Sequence, residues 1–185
     1  VQIETEEMGS ASIRENGMYV ITGGLGGIAL NIARYLLQRY QIRLLLLDQF
    51  DLPPLEELDR AIQSGHELEE KLVLLQELME LPGDVHYARI DICDGDQVRR
   101  QIVKSRQMWQ SDLDGVFHLA GSYHDALIVD ETLAGMEQAF KAKCLGAWTM
   151  YQVFNDEFTQ RSDSDRQGLF VLFSSLVANF GGATI

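Results

Sequence analysis

The sequence predicts an α/β protein, a doubly wound parallel sheet of strand order 3-2-1-4-5 with helices on both faces and a helical insertion after strand two. Three observations lead there. Short apolar, β-rich runs alternate along the chain with stretches whose apolar residues recur at helical spacing. One of those runs, Ile42–Asp48, carries four consecutive leucines, Leu44–Leu47, the mark of a strand buried on both faces of a parallel sheet. A glycine-rich turn, Gly23–Gly27, joins the first run to the first helical stretch.

The elements follow in order. Residues 1–17 are polar and patternless and read as a linker, leaving 18–185 as the domain. Met18–Thr22 is the first strand. Ile28, Ala29, Ile32, Ala33, Leu36 and Leu37 form a helical stripe that ends near Tyr40. Ile42–Asp48 is the second strand. Pro53–Leu81 carries two apolar helical patterns separated by Ser64–His66, hence a helical pair, closed by Pro82-Gly83. Asp84–Asp91 is the third strand, Asp96–Gln110 a helix, and Asp114–Gly121 a fourth strand running into a loop. Leu133–Phe158 reads as one helix, and Gly168–Ser175 as the fifth strand.

Composition narrows the function classes. The chain has 185 residues and a formal net charge of −13, a field that repels nucleic acid and anionic membrane surfaces, so neither is expected as a partner. The opening residues lack the basic start and apolar stretch of a signal peptide. Cys93 and Cys144 match no metal-binding or redox spacing and are expected in the core, which points to a reducing, cytoplasmic compartment. His66 and His86 have no partner pattern, and no metal site is expected.

Thr22–Ala29, TGGLGGIA, lies between strand and helix, the context of a Rossmann-type dinucleotide turn. Gly23 permits the tight turn. Gly24, Leu25, Gly26 and Gly27 let backbone approach a pyrophosphate, and the helix opening at Ile28 points unpaired N–H groups at the anion. Read alone, such a turn also occurs without a ligand. Gly23, Gly27 and Ala29 fit one known spacing of the motif, and Gly23, Gly26 and Ala29 fit another.

Asp48 ends strand two, where an acid accepts hydrogen bonds from the adenosine ribose and repels a 2′-phosphate; on this reading the cofactor is NAD, and otherwise Asp48 is a surface acid at a strand exit. Arg43 falls at the wrong end of that strand. Asp91 can accept from the adenine amino group with Ile92 against the ring, or can cap the following helix. In the segment His118–Gly121, Ala120 and Gly121 are small enough to let backbone reach a cofactor, whereas a lone His118 more often serves structure. Ser174 and Ser175 close strand five, on the edge where such sheets bind ligands. Lys143 lies on the preceding helix.

Taken together, YVITGGLGGIA, HLAG, KCLGAW and FVLFSS, in that order over residues 17–185, resemble the ketoreductase domains of modular polyketide synthases and related carrier-protein-bound assembly lines, within the short-chain dehydrogenase/reductase superfamily. The insertion beginning DLPPLEELDRA is similar to the one those domains carry. The resemblance implies reduction of a β-ketoacyl thioester, tethered through phosphopantetheine to an acyl carrier protein and flanked by other megasynthase domains, to the β-hydroxyacyl product. It implies Ser175 rather than Ser174 as catalytic serine and Lys143 rather than Lys141 as the lysine that holds ribose and tyrosine. The family tyrosine and asparagine would fall past Ile185. It implies NADP (NADPH) as cofactor, although the family's phosphate-binding pair is replaced here by Asp48-Gln49. For product hand, Tyr123-His124-Asp125 keeps only the last residue of the family's LDD triplet, and Phe180 stands where the alternative tryptophan would be; the two lean to the LDD-type product. Two other readings stand beside this one. One is a degenerate, non-reducing scaffold domain of a megasynthase. The other is an extended short-chain epimerase or dehydratase, against which Lys143 argues.

Overall fold

A computed structural model describes residues 13–54, 57–63, 68–122, 127, 129–161 and 167–175. The elements are β1 (Met18–Thr22), α1 (Gly27–Tyr40), β2 (Arg43–Asp48), α2 (Leu58–Gln63), α3 (Glu69–Met79), β3 (Asp84–Arg89), α4 (Gly95–Trp109), β4 (Leu113–His118), α5 (Leu133–Phe140), α6 (Ala147–Thr159) and β5 (Leu169–Leu172). The five strands form one parallel sheet of order β3-β2-β1-β4-β5, the topology the sequence predicts.

Alternation within the central strands sends neighbouring side chains to opposite faces. Tyr19, Ile21, Leu44 and Leu46 pack against Ala29, Ala33, Leu36 and Leu37 of α1 and Leu72, Leu75 and Leu78 of α3. Met18, Val20, Leu45 and Leu47 pack against Val98 and Ile102 of α4 and Met150, Val153 and Phe154 of α6. Leu44–Leu47 are fully buried, so the apolar run of β2 is needed for two cores at once. The helical pair of the insertion is α2 and α3, and it thickens the first of those cores.

Three expectations are corrected. Leu133–Phe158 is not one uniform helix: Lys141–Gly146 is π-helical between α5 and α6. An extra residue per turn leaves no mark on apolar periodicity over so short a stretch. Cys144, expected in the core, lies on this segment and is exposed, while Cys93 is half-buried. β5 ends at Leu172, so both serines lie just past it rather than within it.

Helix ends follow local chemistry. Asp94 caps α4 by accepting from the Asp96 and Gln97 N–H groups, and Thr132 caps α5 by accepting from Gly135 N–H. Between α4 and α6, Arg106 bonds both Glu157 and Asp112. No helix among the described residues is long and apolar enough to cross a membrane.

Candidate active site

β1 and β4 run side by side and end together, Thr22 paired with His118. The Thr22 hydroxyl accepts from Ala120 N–H at 3.1 Å and lies 2.8 Å from His118 Nδ1. Its carbonyl accepts from Leu119 N–H at 3.2 Å. The chain then turns at Gly23, whose φ of +65° is left-handed. A Cβ there would sit 2.9 Å from Ala120 Cα, so both conformation and space demand glycine. The turn is tied back by Gly24 N–H to Leu47 O at 3.2 Å, Gly26 N–H to Gly23 O at 3.0 Å and Leu25 N–H to Asp48 Oδ2 at 3.0 Å.

α1 starts at Gly27 with no side-chain cap from Gly26 and no acid in its first turn. Its opening N–H groups therefore have no anionic or hydroxyl partner of their own, which is the condition for receiving a phosphate. Gly26, Gly27 and Ile28 are exposed, and a Cβ at Gly27 would meet nothing within 4 Å. The turn borders a groove of about 600 Å³, lined also by Asp48, Gln49, Ile92, Ala120 and Gly121. An open groove beside an uncapped helix start fits a dinucleotide.

Gly23, Gly26, Asp48, Gln49, Ile92, Ala120 and Gly121 line the groove. Thr22, Leu25 and His118 are buried and shape the turn from behind. His118 ends β4 with its Nδ1 2.8 Å from the Thr22 hydroxyl. It is 3% exposed. Burial lowers its pKa, and the nearby Ala142 carbonyl only partly opposes that.

Asp48 does more than end a strand. Its Oδ1 accepts from Gln49 N–H at 2.8 Å and its Oδ2 from Leu25 N–H, so one carboxylate ties β2 to the turn. Asp91 does not cap α4; Asp94 does. Asp91 accepts from Lys141 Nζ at 2.8 Å and from Cys93 N–H at 3.0 Å. The Lys141 hydrogen bond, then that of Cys93, holds its carboxyl below the usual carboxylate range.

The π-helical segment carries Lys143 to the far side of the groove. Its side chain is exposed and runs over Gly121: a Cβ on Gly121 would lie 2.9 Å from Lys143 Cε. Ser174 and Ser175 are exposed beyond the carboxyl end of β5, and Phe173 N–H continues the ladder to His118 O at 3.2 Å. Lys143, Gly121 and Ser175 thus share the carboxyl edge of the sheet with the turn. Tyr123, His124, Asp125, Phe180 and His66 lie outside the described residues. Among the described residues no group of three or more His, Cys, Asp and Glu side chains could hold a metal ion.

Sequence reasoning missed two lysines. Lys141 was set aside in favour of Lys143, yet it forms the ion pair with Asp91. Lys71, one lysine among acids in the insertion, lines the groove beside Gln49 and Phe50. Its only sequence signal was its place on the mostly apolar face of an otherwise acidic helix.

Comparison with known proteins agrees with this geometry. Residues 17–184 match the family model described as KR domain. The chain is 28% identical over 162 residues to 6-methylsalicylic acid synthase of Penicillium patulum, covering 88% of this chain and 8% of that protein. It is 30% identical over 179 residues to polyketide synthase ThaG of Burkholderia thailandensis, covering 96% of this chain and 3% of that protein. The chain thus spans less than a tenth of these curated relatives. A solved N-terminal ketoreductase from the macrolactin assembly line superposes with a TM-score of 0.73 at 26% identity, over 93% of this chain and 30% of that one. With the parallel sheet, the uncapped glycine turn and the family match over nearly its whole length, this chain belongs to the KR-domain family of ketoreductases, in the short-chain dehydrogenase/reductase fold.

Proposed function

We propose that this chain is the ketoreductase domain of an assembly-line synthase and reduces a carrier-protein-bound β-ketoacyl thioester to the β-hydroxyacyl product. The observation that carries this reading is Lys143 lying over Gly121 at the mouth of the groove that begins at the glycine turn. A bound nicotinamide dinucleotide would supply the hydride. The chain's own residues do the rest. The α1 N-terminus and the turn receive the pyrophosphate. Ile92 offers an apolar wall for adenine and Asp91 an acceptor beside it. Lys143 donates to the nicotinamide ribose and, as a cation, lowers the pKa of the tyrosine phenol that the family resemblance expects past Ile185. Ser175 donates to the ketone oxygen and so stabilises the charge that develops there. The tyrosine then delivers the proton. We take residues 18–185 as the domain and 1–17 as a linker.

The partner on this reading is an acyl carrier protein bearing phosphopantetheine, together with neighbouring synthase domains. In its full-length context the protein is expected to oxidise NADPH when given a β-ketoacyl thioester, with the β-hydroxy product seen by mass spectrometry. NADPH and NADH both failing to bind would end this reading. A second reading, a non-reducing scaffold domain, draws support from Asp48-Gln49, which brings no cation to the end of β2. Binding of nicotinamide nucleotide without turnover in the full-length context would favour it.

A further inference from the structure

We infer that Lys71, on helix α3 of the insertion, is the cation that reads the 2′-phosphate of the cofactor's adenosine and makes the protein select NADPH. This deepens the proposed function and rests on the groove being the cofactor site.

The end of β2 offers Asp48 and Gln49, neither of which attracts a phosphate. α3 packs beside α1 on the same face of the sheet, and from its first turn Lys71 reaches back to the same groove. Its Nζ donates to Leu25 O of the glycine turn at 3.2 Å and sits 4.2 Å from the centre of the Phe50 ring. Phe50 is itself fixed: its carbonyl accepts from the Tyr87 hydroxyl at 2.6 Å. Lys71 is thus held at both the turn and the residue that follows Gln49, half-buried, on the ring face that favours a cation. Among the described residues it has no carboxylate partner, and one donor spent on Leu25 O leaves two N–H donors. Each oxygen of the Asp48 carboxylate already accepts a backbone N–H, which offsets part of its charge. A cation with free donors and an anion already engaged at one end of a groove fit a phosphomonoester on the ribose better than two free hydroxyls.

The test uses adenosine 2′,5′-bisphosphate and adenosine 5′-monophosphate as probes, titrated by calorimetry into the protein in its full-length context. The wild type is expected to bind the bisphosphate more tightly, by roughly tenfold, the scale of one charge-assisted contact. Lys71→Met is expected to remove that preference while leaving the monophosphate affinity unchanged, which also shows that the groove is intact. Lys71→Arg is expected to keep the preference. A Lys71→Met protein that still prefers the bisphosphate, or that loses both probes together, overturns the inference. So does a wild type that prefers the monophosphate, which would leave the cofactor site standing and make it an NAD site. Failure of the wild type to bind either probe instead overturns the cofactor reading on which this inference rests.

Discussion

The glycine turn and the Lys143 edge face each other across one groove, yet they are built in opposite ways. Gly23–Gly27 is over-determined. Backbone hydrogen bonds from Gly24, Leu25 and Gly26, the buried Thr22 hydroxyl and a left-handed φ at Gly23 all fix the same geometry. The Lys143 edge is open to solvent. Lys143, Ser174 and Ser175 are exposed, and the helix beneath Lys143 is π-helical, a form that survives only where surrounding structure favours it. On the proposed function the turn has only to receive an anion, so rigidity suits it, while the other edge must admit a substrate and pass a proton, so its side chains stay reachable.

The contrast can be broken at each end. The largest expected effect is at the turn. Gly23→Val forces a β-branched residue into left-handed backbone and onto Ala120, at a cost of about 4 kcal/mol from strain and overpacking together; chemical denaturation reads it. A loss below about 1 kcal/mol would mean the turn is softer than described. Lys143→Met should do the reverse. On the proposed function it lowers turnover by about a hundredfold, the scale of losing one positioned donor, while the melting temperature barely moves, because the side chain is exposed. A destabilised Lys143→Met protein would put Lys143 in the fold rather than the chemistry.

Thr22→Val is intermediate. It removes the acceptor for Ala120 N–H and the partner of His118, for about 2 kcal/mol by denaturation, since a buried donor is left unmet. Gly121→Ala sharpens the comparison further. The three atoms nearest its methyl all belong to the movable Lys143 side chain, so stability should hold while, on the proposed function, turnover falls by about tenfold as the ammonium is displaced. Unchanged turnover would detach Gly121 from the placement of Lys143.

The smallest effect is electrostatic. Burial holds the His118 pKa below its ordinary value of 6.5, so below that pH the unfolded chain binds a proton that the folded chain refuses. Stability is therefore complete above the unfolded value and is lost as pH falls through it toward the lower folded value. His118→Asn should melt with a shallower loss on acidification than the wild type. Some slope remains, because burial and Lys104 lower His86 in the same sense.

Much of this was legible in the residues. Periodicity located five strands and their helices, because burial on both faces of β2 leaves no room for polar residues at Leu44–Leu47. The turn was legible because its glycines answer to local backbone sterics. The groove wall was read less evenly. Ile92, Ala120 and Gly121 line it, while His118 is buried beside Thr22, because which way a strand-end side chain points depends on the neighbouring strand. Lys71 was missed for a similar reason: it is 22 residues from Gln49 in sequence, and only the packing of α3 on the sheet brings the two together.

By itself, then, the sequence determined the sheet order, the position of the glycine turn and the family, since these rest on short-range sterics, hydrophobic periodicity and motif order. Tertiary structure alone decided that Asp48 braces the turn, that Asp91 pairs with Lys141 rather than capping α4, that a π-helical segment lays Lys143 over Gly121, and that Lys71 joins the groove. Each of these is a contact between residues far apart in the chain. Such contacts follow from how helices seat on the sheet, which no local pattern encodes.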